Sequence, residues 1–215
     1  MTPDEPTGEA ADVSRETPPS RAVEVFGAQL PVAQAYADLL ATEAVQRGLI
    51  GPREVPRLWD RHLLNSAVVH PRVPLGASVA DVGSGAGLPG LVWAIARPDL
   101  SVTLIEPLLR RTVFLDAAVE ALGLDNVSVV RARAEDVRQS FDLVTARAVA
   151  PLHQLGRWCL PLVGPGGVLL ALKGRTAAQE VTAATATLRR LGATTIVVTT
   201  YANGEVPTTV VEVST

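Results

Sequence analysis

The chain has 215 residues, of which 47% are hydrophobic and 19% charged, and its net charge is −3. That length and apolar content fit one sizeable α/β domain with a buried core and exclude a wholly disordered or low-complexity chain. No run approaches the roughly 18 uninterrupted apolar residues of a membrane span, and the opening Met-Thr-Pro-Asp-Glu-Pro lacks the layout of a secretory signal, so a cytoplasmic location is expected. The single cysteine, Cys159, excludes an intrachain disulfide or a thiolate cage. The histidines His62, His70 and His153 are too scattered to set a ligand spacing, so no metal is expected.

Residues 1–20 are rich in Pro, Thr, Glu and Ser with little to bury, which predicts a disordered tail. A helical N-terminal cap follows over 21–75. Val32, Tyr36, Leu39, Leu40 and Val45 recur near helical spacing from Leu30 to about Arg47, with Gly48 as a stop, and a second helix runs from Pro52–Pro56 to just before Pro71. From residue 76 the pattern alternates. It predicts strand 78–82, helix 88–97, strand 101–106, helix 108–122, strands 127–131 and 141–146, helix 151–161, strand 167–172, helix 176–191, and strands 194–200 and 207–213. Alternation of this kind makes a mostly parallel, helix-covered sheet. The last two strands, joined through Tyr201-Ala-Asn-Gly-Glu, leave no room for a crossover and must pair antiparallel.

The first strand ends in Asp81 and opens into a turn holding Gly83, Gly85 and Gly87, residues that let the backbone pass tightly beneath a ligand. Gly85, Gly87 and Gly90 match the dinucleotide fingerprint G-x-G-x-x-G, which would imply an NAD-dependent oxidoreductase. Asp81-Val-Gly-Ser-Gly-Ala-Gly87 also reads D-x-G-x-G-x-G, and this resembles the first motif of S-adenosylmethionine-dependent methyltransferases. The second reading is preferred, because a carboxylate at the strand end suits a ligand with an amino-acid ammonium and not one with a pyrophosphate. A glycine turn without any ligand is the third reading.

Glu106 closes the second strand about 20 residues beyond the glycines, the offset of a carboxylate that holds a ribose diol; it would also serve as a first-turn acid of the next helix. After the third strand, Ala134 followed by Glu135 and Asp136 could seat an adenine, and Arg147 at the end of the fourth strand falls beside the expected methyl donor. The net charge does not itself point to nucleic acid. Its distribution is more informative: 18 of 19 basic residues are arginine, Lys173 being the one lysine, and Arg53, Arg57, Arg61 and His62 share one segment. Taken singly, most of these arginines fit solvated faces.

Arg61-His62-Leu-Leu-Asn-Ser66, Asp81-Val-Gly-Ser-Gly-Ala-Gly-Leu-Pro-Gly90, Arg133-Ala-Glu135, Thr145-Ala-Arg147-Ala and Ala171-Leu-Lys173-Gly174 together resemble the glucose-inhibited division protein B family, bacterial small-subunit rRNA guanine-N7 methyltransferases. The match spans roughly residues 53–175. It implies a Rossmann-like, seven-stranded methyltransferase domain over 76–215 with an antiparallel C-terminal hairpin, and methyl transfer from S-adenosylmethionine to a guanine N7 in the decoding region of 16S rRNA. Carried over by position, Gly83, Leu88, Ala134, Glu135 and Arg147 would contact the cofactor. Arg61 and His62 would meet RNA phosphate or base, a packed helix histidine being the equal reading of His62, and Arg147 would orient guanine or the cofactor carboxylate, a salt bridge being its other reading. Family members carry W-N-x-x-x-N-L-T before the R-H motif, whereas this chain has Gly48-Leu-Ile-Gly-Pro-Arg-Glu-Val55, which leaves RNA contacts by that segment open. A guanine N7 carries no proton, so no His–acid pair is required, and none is visible in the sequence. A small-molecule methyltransferase would share the glycine loop and the hairpin. The expected partner is 16S rRNA or the 30S subunit, and the expected state is a monomer.

Overall fold

The computed structural model describes residues 17–202 and 207–215. The expected tail lies outside them as far as residue 16, and so do residues 203–206 of the last turn. Seven strands, β1 (Ser78–Val82), β2 (Ser101–Ile105), β3 (Val127–Val130), β4 (Phe141–Arg147), β5 (Val163–Lys173), β6 (Thr195–Tyr201) and β7 (Thr208–Ser214), form one sheet in the order β3-β2-β1-β4-β5-β7-β6. The first five are parallel, and β7 runs antiparallel to both β5 and β6. The last two strands therefore pair as expected, but β7 is inserted between β5 and β6. β5 also starts earlier than the sequence suggests, because Gly164-Pro-Gly-Gly167 reads as a turn yet packs against β4. A Cβ on Gly167 would lie 2.7 Å from the Asp142 carbonyl oxygen.

Strand alternation sorts the core onto the two faces of the sheet. Val79, Leu104, Leu143 and Leu170 point to one face, against α4 (Gly90–Ala96), α5 (Leu109–Leu122) and the N-terminal helices. Ala80, Ile105, Val144 and Leu169 point to the other, against α6 (Leu152–Cys159) and α7 (Ala177–Arg190). With both faces covered, β1 is buried from Val79 to Val82, and this explains why Val79, Ala80 and Val82 are apolar without alternation.

The N-terminal helices share the first of these cores. α1 (Ser20–Phe26) and α2 (Leu30–Leu39) are followed by a π turn (Leu40–Ala44), then a 3₁₀ stretch (Pro52–Arg57), a second π turn (Leu58–Leu64) and α3 (Asn65–Ala67). Phe26 meets Trp59 edge to face, with ring centroids 6.2 Å apart. Helical spacing foresees both long segments but not their two wide turns, which depend on what each helix packs against. Among the described residues no helix is long and apolar enough to cross a membrane, and no group of three or more His, Cys, Asp or Glu is arranged to hold a metal.

Parallel strands deliver all their carboxyl ends to one edge of the sheet. The strand order reverses between β1 and β4, which opens a crevice at that edge. Long-range hydrogen bonds hold the N-terminal helices to the sheet domain, among them Tyr36 Oη to the Ala86 carbonyl (2.8 Å), Trp93 Nε1 to the Ser66 carbonyl (2.8 Å) and Thr208 Oγ1 to the Asn65 carbonyl (3.2 Å).

Candidate active site

From β1 the chain turns through residues 83–89 into α4. Gly83, Gly85 and Gly87 have φ values of +71°, +60° and +97°, a region that side chains rarely tolerate. Their spatial roles differ. A Cβ on Gly83 would lie 2.8 Å from Val149 Cγ2, and one on Gly87 would lie 2.4 Å from Leu91 Cδ1 and 3.0 Å from Tyr36 Oη. On Gly85 the nearest heavy atom would be the Gly83 carbonyl at 3.8 Å. Protein atoms thus fill the space a Cβ would take at Gly83 and Gly87, whereas at Gly85 that space is open. Gly90, the third glycine of the dinucleotide pattern, is where α4 meets β1. Its amide donates to Asp81 Oδ2 at 3.0 Å, and a Cβ there would lie 2.7 Å from that oxygen.

Asp81 is fully buried, and its Oδ1 has no hydrogen-bond partner among the described residues. Burial pushes its carboxyl up to about 7, the Glu106 charge adding to the rise while the Gly90 amide and Arg147 oppose it. A buried acceptor without a donor is costly, and a cationic ammonium is the partner that would satisfy it. Glu106 is also buried. Its Oε2 accepts from the Gly85 amide at 3.1 Å and from Arg111 Nη1 at 3.3 Å, and its Oε1 accepts from the Leu108 amide at 3.1 Å. Both readings of Glu106 meet here: it steadies the start of α5, and it stands beside the glycine turn with lone pairs to spare for a diol. Leu88 is half-buried in the same turn; Ala134 is buried and Glu135 exposed just beyond β3, on the β2 side of β1. An unsatisfied carboxylate, an open glycine and a second acid one strand away fit an aminoacyl nucleoside such as S-adenosylmethionine.

Arg147, Arg61 and His62 form a network with the N-terminal helices. The Arg147 guanidinium donates to Ser66 Oγ (2.8 Å), to the Arg61 carbonyl (3.1 Å) and to His62 Nδ1 (3.0 Å). His62 Nε2 in turn meets Glu54 Oε2 at 2.9 Å, and Arg61 Nε reaches the same oxygen at 2.9 Å. This network assigns the imidazole proton to Nε2. Burial, followed by the Arg147 charge, lowers the His62 pKa to about 4, so the ring is neutral near pH 7. Arg147 and His62 are brought together, and their bonds fasten β4 to the N-terminal helices. The end of β4 lies within hydrogen-bond reach of the segment carrying Arg61–Ser66, and Arg147 also lines the groove beyond it. A His–acid pair is also present after all, eight residues apart; two turns of spacing on one helical segment was the available signal.

On the β5 side of Arg147 lies a groove of about 780 Å³, whose wall includes Arg57, Arg61, Arg147, Lys173, Arg175 and the carboxylate of Glu180. Sequence reasoning missed Arg175, Glu180 and Thr208 as neighbours of this space. Ala148 lines it, and Val149 lies against Gly83, so the end of β4 stands between groove and glycine turn.

The chain matches the family model described as rRNA small subunit methyltransferase G over residues 29–207. The chain belongs to that family. It is 56% identical to the ribosomal RNA small subunit methyltransferase G of Salinispora tropica, covering 94% of this chain and 89% of the relative. To the protein of the same name from Thermobifida fusca it is 66% identical, covering 76% and 70%. A precorrin-6y C5,15-methyltransferase structure from Geobacter metallireducens superposes with a TM-score of 0.53 at 15% identity, covering 78% of this chain and 90% of that one, a likeness of fold alone. As a member of the methyltransferase G family, the chain is an S-adenosylmethionine-dependent enzyme with a Rossmann-like seven-stranded fold.

Proposed function

We propose that this chain transfers the methyl group of S-adenosylmethionine to N7 of a guanine in the decoding region of 16S rRNA, as naked RNA or in the 30S subunit, and that it works in the cytoplasm as a monomer. Membership of the methyltransferase G family across residues 29–207 carries this reading. Neither a small-molecule methyltransferase nor an NAD-dependent oxidoreductase is favoured by such relatives.

When bound, S-adenosylmethionine supplies an electrophilic methyl on a sulfonium, which an unprotonated guanine N7 takes by direct displacement. No proton has to move, so the protein needs no general base, and the His62–Glu54 pair can serve structure alone. What the residues provide is placement. Asp81 would hold the ammonium, Glu106 the ribose hydroxyls, and Ala134 with Glu135 the adenine side, while the Gly85 backbone leaves room for the chain between them. Fixing both reactants in line is worth about 7–11 kcal/mol of barrier.

The test is nucleoside analysis of 16S rRNA from a null strain, with and without this gene, together with methyl transfer by the purified chain to rRNA and to 30S subunits. The reading expects 7-methylguanosine in the decoding region only when the gene is present. Its appearance in the null strain, or transfer to another base, refutes the assignment.

A further inference from the structure

The groove beside Arg147 is strongly cationic for a chain with a net charge of −3: among the described residues, five positive side chains and one carboxylate, that of Glu180, line it. Three of the five are held by the protein itself. Arg147 is committed to Ser66, His62 and the Arg61 carbonyl. Arg61 is ion-paired to Glu54 at 2.9 Å. Lys173 Nζ bonds the Ala150 carbonyl at 2.7 Å and Glu180 Oε2 at 2.7 Å, which pins the loop leading to α6. Arg57 and Arg175 remain. Both are exposed, and neither has a hydrogen bond or ion pair among the described residues.

We infer that Arg57 and Arg175, which line this groove from two different elements, grip two backbone phosphates of the RNA and lay the strand across the end of β4 toward the methyl donor. This rests on the rRNA reading above. The two guanidiniums come from different elements that line the groove, the 3₁₀ stretch before the first R-H motif residue and the loop between β5 and α7. A fork of donors that no carboxylate pairs among the described residues suits a phosphate. Positioning by phosphate contacts leaves base choice to the site itself, as a single-guanine enzyme requires. The cations bound internally give the groove a positive floor that draws the strand in without gripping it.

The experiment measures RNA affinity and the KM for 16S rRNA or 30S subunits as a function of KCl, with the full chain and Arg57→Ala, Arg175→Ala, the double variant, and Arg190→Ala. Arg190 is exposed at the far end of α7. Each groove substitution is expected to reduce the log–log salt slope by about 0.7–0.9 and to raise the KM for RNA about four- to fivefold near 0.15 M salt, with the double variant about 20-fold weaker. Affinity for S-adenosylhomocysteine stays at the wild-type value in all of them, and Arg190→Ala keeps the wild-type slope. A double variant with wild-type slope and KM overturns the inference, as does an equal effect of Arg190→Ala. A wild-type chain that leaves rRNA unmethylated overturns the function reading itself, and the inference falls with it.

Discussion

Asp81 gives the sharpest test of the cofactor site. In the free protein its carboxyl is raised by burial from 3.8 to about 7, so below neutrality a proton must leave before an ammonium can pair with it. An opposite charge at close range lowers a carboxyl pKa by about one to three units. Each unit is worth 1.36 kcal/mol, or tenfold in affinity, so S-adenosylhomocysteine should bind about 10- to 100-fold more tightly at pH 8 than at pH 5. Isothermal titration across that range measures it directly. Asp81→Asn should flatten the profile and weaken binding at pH 8 by about 10- to 150-fold, the loss of a charged hydrogen bond of about 1.5–3 kcal/mol. A control separates this from unfolding. Because the folded pKa lies above the unfolded one, free-protein stability falls as pH rises from about 4 to about 7, so Asp81→Asn should be more stable than wild type at pH 8, by up to about 4 kcal/mol. A wild-type affinity that is constant from pH 5 to pH 8, or a pH profile that survives in Asp81→Asn, would refute the reasoning.

Tyr36→Phe removes the donor to the Ala86 carbonyl inside the glycine turn, leaving a buried acceptor unsatisfied at a cost of about 1–3 kcal/mol. Titration should show weaker S-adenosylhomocysteine binding while chemical denaturation still reports a cooperative fold; unchanged affinity would mean that the N-terminal helices do not shape the turn. Gly90→Ala would push a methyl against Asp81 Oδ2 and Leu104 and should abolish measurable cofactor binding, whereas full binding would show that α4 can shift freely. His62 has a folded pKa of about 4, below its usual 6.5, so the stability it contributes is complete above pH 6.5 and lost as the pH falls toward 4. The difference in unfolding free energy between wild type and His62→Gln should therefore shrink on acidification, by up to about 3 kcal/mol, and denaturation curves at pH 7 and pH 4.5 would expose a constant difference.

The strands and helices from residue 78 onward, the antiparallel pairing of the last two strands, and the carboxylates Asp81 and Glu106 around the glycine turn could all be read from sequence. Each is set within about twenty residues: apolar alternation, Gly and Pro punctuation, and the span of one strand-turn-helix-strand unit. Only the tertiary structure decided that β7 enters between β5 and β6, that Tyr36 props a turn 50 residues away, and that Arg147 reaches 85 residues back to His62. An arginine at a strand end carries the same local signature whether it faces a ligand or a neighbouring helix. Its partner is chosen when packing strips water from the guanidinium and the nearest acceptors must replace it, and those acceptors exist as neighbours only in the folded chain. The same selection left Arg57 and Arg175 without partners among the described residues while Arg61 and Lys173 found carboxylates.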